Sequence, residues 1–137
     1  MKNLLKSLVL IALVGLQFSF LAPANDKLDC TMLHSGTFTY TDDEGDEVIV
    51  VIEGDSYVEY FKNRKYSLER RLQWVDDCQF NASFVKSNLP NLGKVRTAVM
   101  NLKVDRIEGN FVYYTASLKS VYKGSFKKQA PEGTNNK

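Results

Sequence analysis

The sequence predicts an all-β fold, an antiparallel meander of about eight strands. Apolar and polar residues alternate with period two along most of the chain after Gly36, and short turns rich in Gly, Asn and Asp separate the runs. No stretch beyond the N-terminal apolar segment has the spacing of an amphipathic helix.

Taken in order, "GTFTYT" sets Phe38 and Tyr40 on one face and Thr37, Thr39 and Thr41 on the other. The β-branched run "EVIVVI" follows, and "EGD" turns it into "SYVEYF", which "KNRK" turns again. "YSLERRLQW" has the clearest alternation. Tyr66, Leu68, Leu72 and Trp74 share a face, with Ser67, Glu69, Arg71 and Gln73 opposite. "CQFNASFV" continues with Cys78, Phe80, Ala82 and Phe84 in phase. "KSNLPNLG" is the longest break, a crossover or a lip. The next strand sets Ala98, Met100, Leu102 and Val104 on one face, "EGN" is a hairpin turn, and "FVYYTASL" and "VYKGSF" complete the set. Consecutive strands with tight turns pair as neighbours. A meander of this length closes as a lipocalin-like barrel, or curls as a sheet or sandwich, because a flat sheet would leave its edges exposed. The expected core is Phe38, Tyr40, Leu68, Leu72, Trp74, Phe80 and Phe84.

Residues 1–24 read as a cleavable signal peptide: Lys2 and Lys6 precede an apolar run from Leu8 to Leu21, and Ala22-Pro23-Ala24 supplies the small residues of a cleavage site. The run is shorter than the ~20 residues of a membrane span. The first cysteine, Cys30, follows Leu28-Asp29 and so does not fit a lipidation site. These signals predict export to the periplasm or beyond, with no stable membrane anchor after cleavage. They divide the chain into signal (1–24), a single β domain (25–128) and a disordered polar tail (129–137). In an oxidising compartment the only two cysteines, Cys30 and Cys78, are expected to form a disulfide.

Charge is unevenly spread. Residues 25–77 hold 6 basic and 13 acidic side chains, and residues 78–137 hold 10 and 3. The expectation is that strands of the two halves interleave and the charges cancel in space. The mature chain is neutral, so the basic balance of the precursor implies no nucleic-acid partner. Basic residues alternating with Tyr122 and Phe126 read as the polar face of a strand.

Little in the sequence points to catalysis. His34 is the only histidine and has no nucleophile motif beside it. The acidic run "TDDEGDE" lacks the calcium-loop pattern and reads as a solvated hairpin loop. The sequence therefore predicts a non-enzyme with no cofactor and no metal. Arg70 is the exception worth following. It lies in phase with Leu68 and Leu72, where an apolar residue belongs. A guanidinium there must pair with a carboxylate (Glu59 or Asp105), meet a ligand anion, or reach water at a bulge or strand end.

"DC…GTFTY" and "LQWVDDCQF" give the chain a resemblance to small exported proteins and lipoproteins of flavobacterium-like bacteria. These have a signal, a Cys, "GTF", several strands and then W-x-N/D-D-C-x-Y/F. The matching positions are Cys30, Gly36, Thr37, Phe38, Trp74, Asp77, Cys78 and Phe80. The chain departs from many of these relatives in lacking a lipobox cysteine. The resemblance implies export and a β-rich domain, and carries no activity. Some members bear the label "DNA topoisomerase IV", which an exported chain this short, without nucleotide or metal motifs, does not fit. The resulting expectation is an exported binding or envelope-associated module whose partner is a small apolar ligand or an envelope protein. The alternatives are a carrier of an apolar or amphipathic ligand in a lipocalin-like cavity and, less favoured, a secreted hydrolase.

Overall fold

The computed structural model describes residues 27–131. The expected signal peptide and the last part of the expected tail lie outside them. Eight strands form a closed antiparallel barrel in simple meander order: β1 (Ser35–Thr41), β2 (Glu47–Glu53), β3 (Ser56–Phe61), β4 (Tyr66–Asp76), β5 (Gln79–Ser87), β6 (Met100–Glu108), β7 (Phe111–Ser117) and β8 (Val121–Lys128). Two short 3-10 turns, Thr31–Leu33 and Gly93–Arg96, accompany them. Of the two architectures expected, the barrel is the one formed.

Alternation decides what fills the interior. Phe38, Val48, Val50, Ile52, Tyr57, Leu72, Phe80, Leu102, Val112 and Phe126 point inward and are buried. Among the expected core residues, Phe38, Leu68, Leu72 and Phe80 are buried, while Tyr40, Trp74 and Phe84 are half-buried. On β4 the outer row is charged or polar, with Glu69, Arg71 and Gln73.

The two ends differ. At one end the chain entering β1 lies across the barrel. There Cys30 is bonded to Cys78, with Cα atoms 5.2 Å apart, and Leu33 is fully buried. His34 stacks on Trp74 with ring centroids 3.7 Å apart, and its Nε2 lies 2.8 Å from the Asp77 carbonyl oxygen. Trp74 Nε1 donates to the Gly54 carbonyl at 3.0 Å and meets Phe80 edge-on at 5.1 Å. The carboxylate of Asp76 accepts the Cys78 backbone N–H at 2.7 Å. The W-x-D-D-C-x-F segment is thus a fastening for the N-terminal arm, and His34 belongs to it. At the other end lie the connections 42–46, 62–65, 88–99 and 118–120, and "KSNLPNLG" falls in the longest of them.

Two expectations need correction. Charge does not interleave: a meander keeps β1–β4, from the acidic part, on one side of the barrel and β5–β8, from the basic part, on the other. The ordered chain also passes residue 128. Gln129 donates its backbone N–H to the Thr37 carbonyl at 2.8 Å and its side-chain amide to Thr39 Oγ1 at 2.9 Å.

Candidate ligand-binding site

Above the packed floor, the inward row turns polar. Tyr57 and Glu59 lie on β3, and Arg70 faces Tyr57 across the ladder on β4. Both Tyr40 from β1 and Tyr57 donate a hydroxyl to Oε1 of Glu59, each at 3.0 Å. Glu59 is 9% exposed and Arg70 3% exposed. Tyr114 and Tyr122 enter from β7 and β8, and the Tyr122 hydroxyl lies 3.7 Å from Met100 Sδ.

Arg70 has no ion pair or hydrogen bond among the described residues, and its Nε and Nη1 are buried without an acceptor. Of the two carboxylates expected to pair with it, Asp105 is exposed and accepts from Thr115 Oγ1 at 2.7 Å, so it plays no part. Glu59 lies close enough to feel the guanidinium's charge, but its accepting oxygen is taken up by two tyrosines. A bulge does occur beside Arg70, though not so as to expose it. Glu69 faces Lys86 and Arg70 faces Phe84, so Val85 on β5 is the extra residue; it turns out to solvent while Arg70 stays inside.

Burial sets the proton affinities here. Desolvation raises the pKa of Glu59, against the lowering effect of Arg70 and of the two tyrosine hydrogen bonds. Tyr40 and Tyr57 are pushed far up by burial and by the carboxylate they bond, and Tyr114 and Tyr122 are also raised, chiefly by burial. At neutral pH all four hydroxyls keep their protons. In that form they can donate hydrogen bonds.

The barrel wall is incompletely paired at one seam. Strands β1 and β8 pair only at Phe38↔Lys128 and Thr39↔Lys127, whereas β1 and β2 run in register from Ser35↔Glu53 to Thr41↔Glu47. Beyond Thr39 the seam opens into a groove of about 910 Å³ that includes Tyr40, Tyr114 and Tyr122 among its walls. Its rims carry Asp42, Asp43 and Glu47 on one side and Lys123 and Lys127 on the other.

The acidic loop is organised by its own chain. Asp42 Oδ1 accepts the backbone N–H groups of Glu44 and Asp46, both at 2.9 Å, and the Lys62 ammonium sits between Glu44 and Asp46. Asp42, Glu44 and Asp46 would be close enough to hold a metal ion, but lysine already provides a cation to two of them. Sequence reasoning singled out Arg70 and grouped Tyr40 with the core. It missed the role of Tyr57, Tyr114 and Tyr122, which only the strand register brings around Glu59 and Arg70.

Fold and site together define a class: a small closed β-barrel with a buried arginine on its inward row, near inward-facing tyrosines. Comparison with protein-family models, with curated proteins and with solved structures finds no match to the chain.

Proposed function

We propose that the protein is an exported, non-catalytic binding barrel that holds a small anionic ligand at Arg70. One observation carries this reading: a guanidinium 3% exposed, with two nitrogens buried and unpartnered. An unpaired buried charge is costly, by several kcal/mol in idealised terms, and a fold keeps one where a bound anion offsets the penalty. The tyrosine hydroxyls support binding over hydrolysis, since burial holds their protons in place. The packed floor argues against a carrier that engulfs an apolar ligand whole, because Phe38, Leu72, Phe80 and Phe126 already fill the lower barrel. Export rests on the N-terminal segment and is supported by the Cys30–Cys78 disulfide. We extend the same proposal to membership of the exported flavobacterium-like group, on the W-x-D-D-C-x-F segment.

Native mass spectrometry of protein exported from its host tests the proposal. The expected result is a small acidic adduct on the wild type that is lost in Arg70→Met. An adduct-free wild type, or an adduct equally retained by the variant, would contradict it.

A further inference from the structure

We infer that β8 takes an added strand: an extended, polar peptide segment of a partner protein, with an acidic residue beside Lys123, pairs with the free β8 edge in the seam groove. This surface is separate from Arg70, and the inference does not depend on the anion-binding reading.

Backbone parity shows which groups face the seam. Lys128 donates its N–H to the Asn110 carbonyl at 2.7 Å, on the β7 side, and Gln129 donates to the Thr37 carbonyl at 2.8 Å, on the β1 side. Direction alternates along a strand, and the β7–β8 register runs without a shift from Phe111↔Lys127 to Ser117↔Val121. The backbone groups of Tyr122, Gly124 and Phe126 therefore face β7, and those of Val121, Lys123 and Ser125 face the seam. There the β1 ladder has stopped, its last pair being Thr39↔Lys127, so these residues have no ladder partner on that side. Strand β5 likewise outruns β6 past Ala82↔Met100, but there the Gly93–Arg96 turn folds back and sets Arg96 over the Phe84 ring. Along β8 there is a groove instead. A row of N–H and C=O groups repeating every second residue, or roughly 7 Å, is matched by the main chain of another extended polypeptide.

The groove follows this edge, with Ser120, Lys123, Ser125 and Lys127 on the β8 side and Thr39, Thr41, Asp42, Asp43 and Glu47 opposite. A lining of hydroxyl and charged groups suits a polar peptide, not an apolar chain. Tyr114 fills the space over Gly124, so the added strand sends no large side chain inward at that point. Cross-strand neighbours set its sequence. An acid belongs beside Lys123, and a β-branched residue beside Val121, which is 72% exposed. The carboxylates across the groove oppose a run of acids, so one acid stands among neutral residues. A second copy of β8 is a poorer occupant, because it brings its own Lys123 and Lys127 to an edge that already carries both.

Amide hydrogen exchange and NMR titration test the inference. The probe is the peptide Ser-Thr-Ser-Glu-Ser-Val-Ser, blocked at both ends, which sets Thr, Glu and Val beside Ser125, Lys123 and Val121 in antiparallel register. In the peptide-free protein the amides of Lys123 and Ser125 should exchange roughly tenfold or more faster than those of Gly124 and Phe126. Equal protection of all four would mean that the edge is already closed and would overturn the inference. Protection that rises with protein concentration would assign the edge to a second copy and overturn the peptide. Millimolar probe should shift the amides of 121–125 and slow exchange at Lys123 and Ser125. N-methylation of the probe's Glu, whose N–H faces β8, should weaken binding by roughly tenfold or more, whereas N-methylation of the Ser that follows, whose N–H faces away, should not. Lys123→Glu should weaken the probe and favour its counterpart with Lys in place of Glu. Indifference to that swap would overturn the acidic residue. No binding, shifts confined to other strands, or equal response to the two N-methylations would overturn strand addition.

Discussion

Glu59 is the residue whose surroundings most directly set a measurable property. Burial raises its pKa, so the folded chain holds this proton to a higher pH than the unfolded chain does. Between the ordinary glutamate value and the raised one the native state binds more protons, and stability therefore falls as pH rises through that window. Urea unfolding at a series of pH values should show this downward slope in the wild type and its loss in Glu59→Gln; an unchanged slope in the variant would assign it elsewhere. Trp74 acts through packing. It is half-buried, stacked on His34 and bonded to Gly54, so Trp74→Ala should cost about 3 kcal/mol, the lower end for a large aromatic. Equilibrium unfolding checks it, and a near-neutral result would mean that the stack contributes little. Arg70 was legible in the sequence because it interrupts an apolar row. The tyrosines around it were not, since an inward tyrosine in a strand reads as core until register shows what its hydroxyl meets.

Strand register is what assembles the site. Tyr57 faces Arg70, Glu59 faces Leu68, and the Val85 bulge keeps Arg70 inward past a slip of the β4–β5 ladder. Period two identified the faces of β4 and β5, but a one-residue bulge leaves no mark on an alternating pattern. The β7–β8 pair supplies a second test. Tyr114 lies across Gly124, where an added Cβ would sit 2.6 Å from the tyrosine oxygen. Overpacking typically costs ~1–3 kcal/mol. Gly124→Ala should therefore lose stability in that range and shift the Tyr114 ring signals in NMR spectra, whereas unperturbed rings would mean that the contact is slack. The opening of the β1–β8 seam had no sequence signal, because both strands alternate regularly up to it.

At the scale of the molecule, a meander barrel explains both the lopsided charge and the disulfide. Strands from each half of the sequence remain neighbours, so a two-sided charge distribution follows from topology alone. Cys30 lies in the arm that crosses the closed end, and its bond to Cys78 spans 48 residues. A loop of that length contributes about 4 kcal/mol on chain-entropy grounds, a large share of what holds a small domain folded. Replacing both cysteines by serine should lower the unfolding free energy by about that amount. A loss below ~1 kcal/mol would mean that the arm stays docked by the His34–Trp74 stack without the bond.

Arg70 is held inside the barrel without a hydrogen-bond or ion-pair partner among the described residues. The most direct measurement is the unfolding free energy of ligand-free Arg70→Met against ligand-free wild type. A lone buried charge replaced by an apolar side chain of similar length should leave stability unchanged or raise it. A loss of about 3–5 kcal/mol, the range for breaking a buried ion pair, would show that Arg70 is bound to Glu59 after all and offers no free cation to a ligand.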